Sequence, residues 1–311
     1  AVLKQTGRVS ESLVASQKSV QLAPQDAEAH SNLGITLHEL GRLGEAEASY
    51  TQAIALKPDY AEAHSTLGVM LNELGRLEEA EASCKQAIAL NPDFAEAHSN
   101  LGITLQELRR LEEAEASYRQ AIALNPDYAE AYNNLGNTLL ELGRLGEAEV
   151  SYTHAIALKP DYAEAYSNLG NSLRELGRLG EAEASYTQAI ALKPDYARAY
   201  NNLGATLQEL GRLDESEASY RQAIALKPDY AEAFWNISSC GKTIRGAEHW
   251  IDKCLIADTN HVKARLTKTA LMFYQGDRTA FDNSMQSEFK QHSYMRSFSW
   301  VFSLPNLPEL H

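Results

Sequence analysis

Cysteine, tryptophan and methionine are scarce in this chain of 311 residues, at three, three and four. Cys84, Cys240 and Cys254 are an odd number spread over a long sequence, which argues against a disulfide framework and fits a reducing, cytoplasmic compartment. Basic residues are in deficit: 28 Lys and Arg stand against 42 Asp and Glu, for a formal net charge of -14. Nucleic acids and anionic membrane surfaces both need a basic footprint, so neither is expected as a partner. No run of 18 apolar residues occurs, so no membrane-spanning helix is expected. Proline is the most informative shortage. There are nine, and Pro24, Pro58, Pro92, Pro126, Pro160, Pro194 and Pro228 stand 34 residues apart.

A fixed period of this size marks a solenoid made from one supersecondary unit copied end to end. With Ala27 as position 1, six full units run 27–60, 61–94, 95–128, 129–162, 163–196 and 197–230. A shortened seventh follows at 231–261, a degenerate eighth unit or helical cap at 262–296, and a tail or linker at 297–311. Residues 1–26 read as the back part of an earlier unit, because Gly7-Arg8 sits where Gly41-Arg42 sits and Pro24 where Pro58 sits. The chain begins inside a repeat and without Met, so a piece of a longer protein is expected.

Each unit carries signals for two helices and none for a strand. The Pro-Asp junction, as at Pro58-Asp59, stops one helix; its Asp is expected to cap the next, with Glu62 reaching back as in a capping box. About 15 residues on, Gly-Arg-Leu, as at Gly41-Arg42-Leu43, supplies a glycine able to end a helix in the left-handed conformation. Arg109 replaces that glycine in the third unit. On the first helix of the first unit, Ala29, His30, Leu33, Gly34, Leu37 and Leu40 form the packed stripe. Gly34 recurs as Gly68, Gly102, Gly136, Gly170 and Gly204, and the expected cause is close approach of the second helix at its small residues Ala46 and Ala53.

In the fourth unit the pattern is Tyr132, Leu135-Gly136, Leu139, Ala148, Tyr152, Ala155 and Pro160. It resembles the tetratricopeptide repeat. His30, His64 and His98 take the aromatic position in the first three units and are expected to pack. The resemblance implies an all-α, right-handed superhelical solenoid of antiparallel helix pairs, with the first helix of each pair lining a concave groove.

Positions 2, 5, 6, 9, 12 and 13 of the first helix face away from the packed stripe. Position 6 reads Asn32, Thr66, Asn100, Asn134, Asn168, Asn202, Asn236, thickened by Asn133, Asn137, Asn171 and Asn201. A side-chain amide both donates and accepts, so a column of them suits the backbone of an extended polypeptide. The column resembles the groove of the repeat arm of O-linked N-acetylglucosamine transferases, where the resemblance implies a hold on extended polypeptide. A polar face that merely meets solvent would carry the same residues. Glu at positions 2 and 13 makes both rims acidic, which points to a neutral or basic partner. Relatives that clamp acidic chaperone tails use Lys or Arg in the groove; here only Arg174 and Arg198 are present, a pair suited to one local anionic group.

Other constellations are weaker. Gly241-Lys242-Thr243 looks like the end of a phosphate loop, but Asn236 stands where that loop needs glycine. Cys240, His249, Cys254 and His261 match no zinc spacing, and no nucleophile, base and orienting acid emerge. No enzyme activity, metal or cofactor is therefore expected of this chain. Past residue 262, Phe273, Phe281, Phe289, Phe298, Trp300 and Phe302 suggest either a cap on the array or a linker to another domain. Three functions remain open: a scaffold binding extended polypeptide, the recognition arm of a glycosyl-, methyl- or sulfotransferase, and self-assembly through the array ends.

Overall fold

The computed structural model describes the backbone of residues 2–240 and 244–274, with side chains over 11–240 and 245–272. Sixteen helices and no strand occur among the described residues. After α1 (Val2–Leu22), seven antiparallel pairs follow. Their first members, the A helices, are α2 (Ala27–Glu39), α4 (Ala61–Glu73), α6 (Ala95–Glu107), α8 (Ala129–Glu141), α10 (Ala163–Glu175), α12 (Ala197–Glu209) and α14 (Ala231–Ser238). Their B partners are α3 (Leu43–Leu56), α5 (Leu77–Leu90), α7 (Leu111–Leu124), α9 (Leu145–Leu158), α11 (Leu179–Leu192), α13 (Leu213–Leu226) and α15 (Ile244–Ala257), and α16 (Val262–Tyr274) ends the series. The helices fall into two units, Ala1–Pro160 with α1 to α9 and Asp161–His311 with α10 to α16. Gly241-Lys242-Thr243, the Phe281, Phe289, Phe298, Trp300 and Phe302 series, the rest of the eighth unit and the 297–311 tail lie outside the described residues, as does the side chain of Phe273.

The A-to-B turn follows the glycine signal. Gly41 has φ +70°, the Arg42 N–H donates to the Leu37 carbonyl at 2.9 Å and the Gly41 N–H to the His38 carbonyl at 2.8 Å. These are the two bonds of a Schellman end. Arg109 adopts φ 61° in the same place, a conformation that costs an L side chain roughly 1–2 kcal/mol. α1 differs from the register, because it runs unbroken through Gly7 and Arg8 where a turn was expected.

The expected aspartate caps are not formed. The N-cap of α4 is Tyr60, without a side-chain bond, and the same holds at Phe94, Tyr128, Tyr162, Tyr196 and Tyr230. The Tyr60 N–H donates to the Lys57 carbonyl at 3.1 Å. That closes a turn with Asp59 at its corner, one residue ahead of the cap position, and leaves Glu62 no box to complete. At α2 an aspartate, Asp26, stands where the later units have the aromatic residue, and it accepts from the Glu28 N–H at 2.9 Å.

The recurring helix glycine has a different cause from the one its neighbours suggest. A Cβ built on Gly102 would lie 2.7 Å from Cε1 of Tyr118, and Gly34, Gly136, Gly170 and Gly204 meet the rings of Tyr50, Tyr152, Tyr186 and Tyr220 in the same way. The tyrosine ring, not the alanines, fills the space. Two pairs depart from this pattern. Cys84 replaces the tyrosine opposite Gly68, where helix-B backbone is within 3.3 Å of the built Cβ. In the seventh pair Ser238 replaces the glycine and Ile251 the tyrosine, both buried.

Successive repeats are tied on their outer side by the turn arginines. Arg76 bonds Glu79 of its own repeat at 2.6 Å and Glu47 of the preceding one at 2.7 Å. Arg110 does the same with Glu113 and Glu81, Arg144 with Glu147 and Glu115, and Arg212 with Glu215 and Glu183. Hydrogen bonds from these arginines hold Glu79, Glu113, Glu147 and Glu215 below the ordinary carboxylate range.

Candidate functional site: the free face of the A helices

Within each unit, A helices of successive repeats touch one another, while B helices make no comparable contact among the described residues. The A side is therefore the tighter, inner side of the stack. Across the free face of each A helix run four residues spaced 4, 3 and 4 apart, which aligns them along the axis. In the first unit they are Glu28-Asn32-Ile35-Glu39, Glu62-Thr66-Val69-Glu73, Glu96-Asn100-Ile103-Glu107 and Glu130-Asn134-Asn137-Glu141. In the second they are Glu164-Asn168-Asn171-Glu175 and Arg198-Asn202-Ala205-Glu209.

The amide column is partly occupied by the protein itself. The Asn100 Nδ2 donates to Ser65 Oγ at 3.0 Å, one repeat back, and Asn236 Nδ2 donates to Asn201 Oδ1 at 3.0 Å in the same register. Asn202 Nδ2 donates to Asn171 Oδ1 at 2.9 Å. Asn168 is only 7% exposed and accepts from Arg198 Nη2 at 2.8 Å. Asn32 is exposed and without a side-chain partner among the described residues, and Asn134 accepts only a long bond from Asn133, at 3.4 Å. An asparagine that spends one N–H on a neighbouring repeat keeps a second N–H with the rotamer already fixed, and Asn202 also accepts a long bond from Asn201 Nδ2, at 3.4 Å.

The buried tyrosines reach this face from below. After passing under the glycine, the Tyr152 hydroxyl donates to Asn137 Oδ1 at 2.9 Å and the Tyr186 hydroxyl to Asn171 Oδ1 at 2.7 Å. Asn171 Oδ1 thus accepts from both Tyr186 and Asn202, which fills its two lone pairs and leaves its N–H groups as its remaining hydrogen-bonding capacity. Arg174 and Arg198 converge here: burial pushes the Tyr186 phenol up, and both guanidiniums pull against that shift. Arg174 lies 3.8 Å from Glu209, so Arg198 is the better donor of the pair. Where position 9 is apolar the hydroxyl must look elsewhere. Tyr220 finds Gln208 at 3.1 Å, Tyr118 finds Gln106 at 3.4 Å, and Tyr50, behind Ile35, is buried with no partner for its hydroxyl among the described residues.

Position 9 is the column that reading position 6 alone passes over. It is Ile35, Val69 and Ile103 in the first three repeats, with Ile35 40% and Ile103 37% exposed, and it turns to asparagine in the next two. The signal was present in the sequence at the 34-residue spacing. The rims also differ along the array. Lys159 Nζ bonds Glu130 at 2.9 Å and Lys193 Nζ bonds Glu164 at 2.8 Å, whereas Asn91 and Asn125 stand where a lysine would reach Glu62 and Glu96.

The histidines of the first three repeats do more than fill space. Nε2 of His30, His64 and His98 lies 3.1, 3.2 and 3.0 Å from the carbonyl of Pro24, Pro58 and Pro92, tying each A helix to the turn before it. Cys240 and Cys254 are buried, and the Cys254 thiol is pushed up to about 12 by burial. Cys84 is pushed up to about 12 for the same reason. His261 instead takes the Ala264 N–H on Nδ1 and lies 3.4 Å from Glu232 through Nε2. Among the described residues no three His, Cys, Asp or Glu side chains cluster as metal ligands, and no helix is long and apolar enough to cross a membrane.

Comparison with known proteins agrees with this architecture. Family models described as TPR repeat or tetratricopeptide repeat match residues 15–48, 33–95, 83–116, 107–143, 136–173, 170–211 and 197–230, an unbroken series from 15 to 230. No curated protein sequence matches the chain. Among solved structures, a chain of the APC/C hetero-tetramer Cut9-Hcn1 aligns with a TM-score of 0.66 at 19% identity, over 83% of this chain and 51% of that one. The chain thus spans about half the length of that structure. YrrB, described as a TPR protein with an unusual peptide-binding site, aligns at a TM-score of 0.48 and 23% identity over 59% of this chain and 95% of its own. MamA aligns at 0.48 and 26% over 53% and 97%. With its 34-residue period, its Schellman turns and its glycine–tyrosine packing, the chain belongs to the tetratricopeptide repeat family.

Proposed function

We propose that the free face of the A helices holds extended polypeptide by its backbone, with the asparagine column as the reading element. Proteins built from this repeat mediate protein–protein interaction, and the finer assignment rests on one observation. Within each unit the column presents amides, of which Asn100, Asn168, Asn202 and Asn236 are oriented by inter-repeat bonds and Asn32 and Asn134 are left with hydrogen-bonding capacity. In the second unit, Arg198 and the N–H groups of Asn171, beside Arg174, Asn168, Asn202 and Asn236, make a donor-rich stretch for peptide carbonyls or one carboxylate. Carboxylates on the rims favour a partner that is neutral or basic overall.

Asn32 and Asn134 carry little of the stacking, so they separate binding from folding. A peptide selected from a random library on the intact chain should lose about 1–3 kcal/mol of affinity, roughly five- to 150-fold, on Asn32→Ala with Asn134→Ala. Helicity and melting should stay unchanged. Selected peptides that bind both proteins equally would show that the amides only meet solvent.

A further inference from the structure

The first three repeats differ from the rest in chemistry, not in fold. Between their rims lie Ile35, Val69 and Ile103, one per A helix and at least partly open to solvent. The carboxylates around them are poorly neutralised. Glu28, Glu62, Glu96, Glu39 and Glu107 meet no lysine, arginine or histidine at salt-bridge distance among the described residues, while Glu73 has His38 at 2.7 Å. Lys57, at the position from which Lys159 and Lys193 reach Glu130 and Glu164, lies over the Tyr60 ring, 4.6 Å from its centroid, and makes no salt bridge to Glu28. An aliphatic strip flanked on both sides by uncompensated negative charge is complementary to a chain that alternates aliphatic and basic residues.

Spacing narrows the conformation. A helices that pack against one another lie roughly 8–10 Å apart, so the three aliphatic side chains recur at about that interval. A polyproline-type extended chain has three residues per turn and rises about 3.1 Å per residue, or roughly 9.3 Å per turn, with every third side chain on one side. From this match we infer that the A-helix face of the first unit is a docking strip for an extended basic segment bearing an aliphatic residue at every third position. The inference rests on the reading of this face as a polypeptide groove and adds which polypeptide it takes. One aliphatic residue sits on each of α2, α4 and α6, and the basic residues between them reach the rims.

The test uses the full chain and a fluorescein-labelled peptide of repeated Leu-Ser-Lys triplets, followed by anisotropy. Controls are a peptide of the same composition with the leucines grouped together, and one with Glu for Lys. The triplet peptide should bind, weaken as salt is added, and bind at least about tenfold more tightly than either control, a difference of about 1.4 kcal/mol. The combined change Ile35→Asn, Val69→Asn, Ile103→Asn gives these positions the residue that Asn137 and Asn171 carry in folded repeats. It should remove the preference for the triplet peptide while helicity is retained. Equal binding by that variant, equal binding of the grouped peptide, or no binding by the unaltered chain would each overturn the strip. The groove reading is judged separately, by whether a library-selected peptide responds to Asn32 and Asn134.

Discussion

Replacing Gly102 by alanine sets two effects of opposite sign against each other. An alanine in a helix interior is favoured over glycine by about 1 kcal/mol, so on propensity alone α6 should gain. The new Cβ, however, would lie 2.7 Å from Cε1, 2.8 Å from Cζ and 2.9 Å from Cδ1 of Tyr118, where ordinary contact begins near 3.4 Å. Tyr118 is wholly buried, so the ring cannot swing into solvent and α6 and α7 must part by several tenths of an ångström. Overpacking of this kind costs about 1–3 kcal/mol, so the net change should be a loss of between zero and about 2 kcal/mol. Removing the ring reverses the sign. Tyr118→Ala alone should cost about 3–5 kcal/mol, but in that background Gly102→Ala should stabilise by about 1 kcal/mol, since only propensity remains. Arrays need not unfold in one step, so hydrogen-exchange protection of α6 and α7 is the appropriate measure, alongside urea midpoints. Greater protection in Gly102→Ala with the tyrosine in place would refute the packing argument.

The orphaned hydroxyl gives a paired prediction: Tyr50→Phe should be neutral or stabilising, whereas Tyr186→Phe, which strips a bond from Asn171, should cost about 0.5–1.5 kcal/mol in urea unfolding. Equal effects would count against the assigned partners. Arg109→Gly should raise stability by about 1 kcal/mol through relief of the left-handed strain, despite loss of the exposed Arg109–Glu141 pair; a lower melting temperature would contradict it. Acid should weaken the array. Arginine hydrogen bonds hold Glu45, Glu79, Glu113, Glu147, Glu181 and Glu215 below the ordinary value of 4.5. Their contribution is present above that value and is lost as pH falls through the lower folded ones. Urea midpoints should therefore decline below about pH 5, and a flat profile would remove these arginine–glutamate pairs within each turn from the account.

Much of this was legible in the sequence because a helical pair repeated at a fixed period needs only local signals: glycine for the turn, proline for the break, apolar spacing for the stripe. What was misread lies between elements. Asp59 looked like a cap because its type fits, but Tyr60 N–H bonding to the Lys57 carbonyl places the turn one residue earlier. Gly34 seemed to face Ala46 and Ala53 because they share a wheel with small residues. The ring that fills the space, Tyr50, sits 16 residues away across a turn, where no single-helix projection places it. The Arg76–Glu47 pair joins neighbouring repeats and the Lys159–Glu130 pair joins the two ends of one repeat, each across 29 residues, an offset that neither the helical period nor the repeat period reveals. The asparagines could be placed on one helix face from their spacing, but their engagement with one another depends on how closely A helices approach.

Position 9 couples the core to the surface, and the two demands conflict. An asparagine there accepts the hydroxyl of the buried tyrosine, as Asn137 does for Tyr152, and makes the face polar. An isoleucine makes the face aliphatic and strands the hydroxyl, as Ile35 does to Tyr50. A buried hydroxyl without a partner costs about 1–3 kcal/mol, so the first repeat carries that burden wherever its isoleucine stays. If Ile35 is there only because the position is tolerant, nothing offsets the cost; if it contacts a ligand, binding does. Ile35→Asn distinguishes these cases within one protein. It should raise the melting temperature of the free chain, by giving Tyr50 an acceptor, and lower affinity for the Leu-Ser-Lys peptide. A variant that gains stability and loses nothing in binding would make the isoleucine a neutral accident of the array.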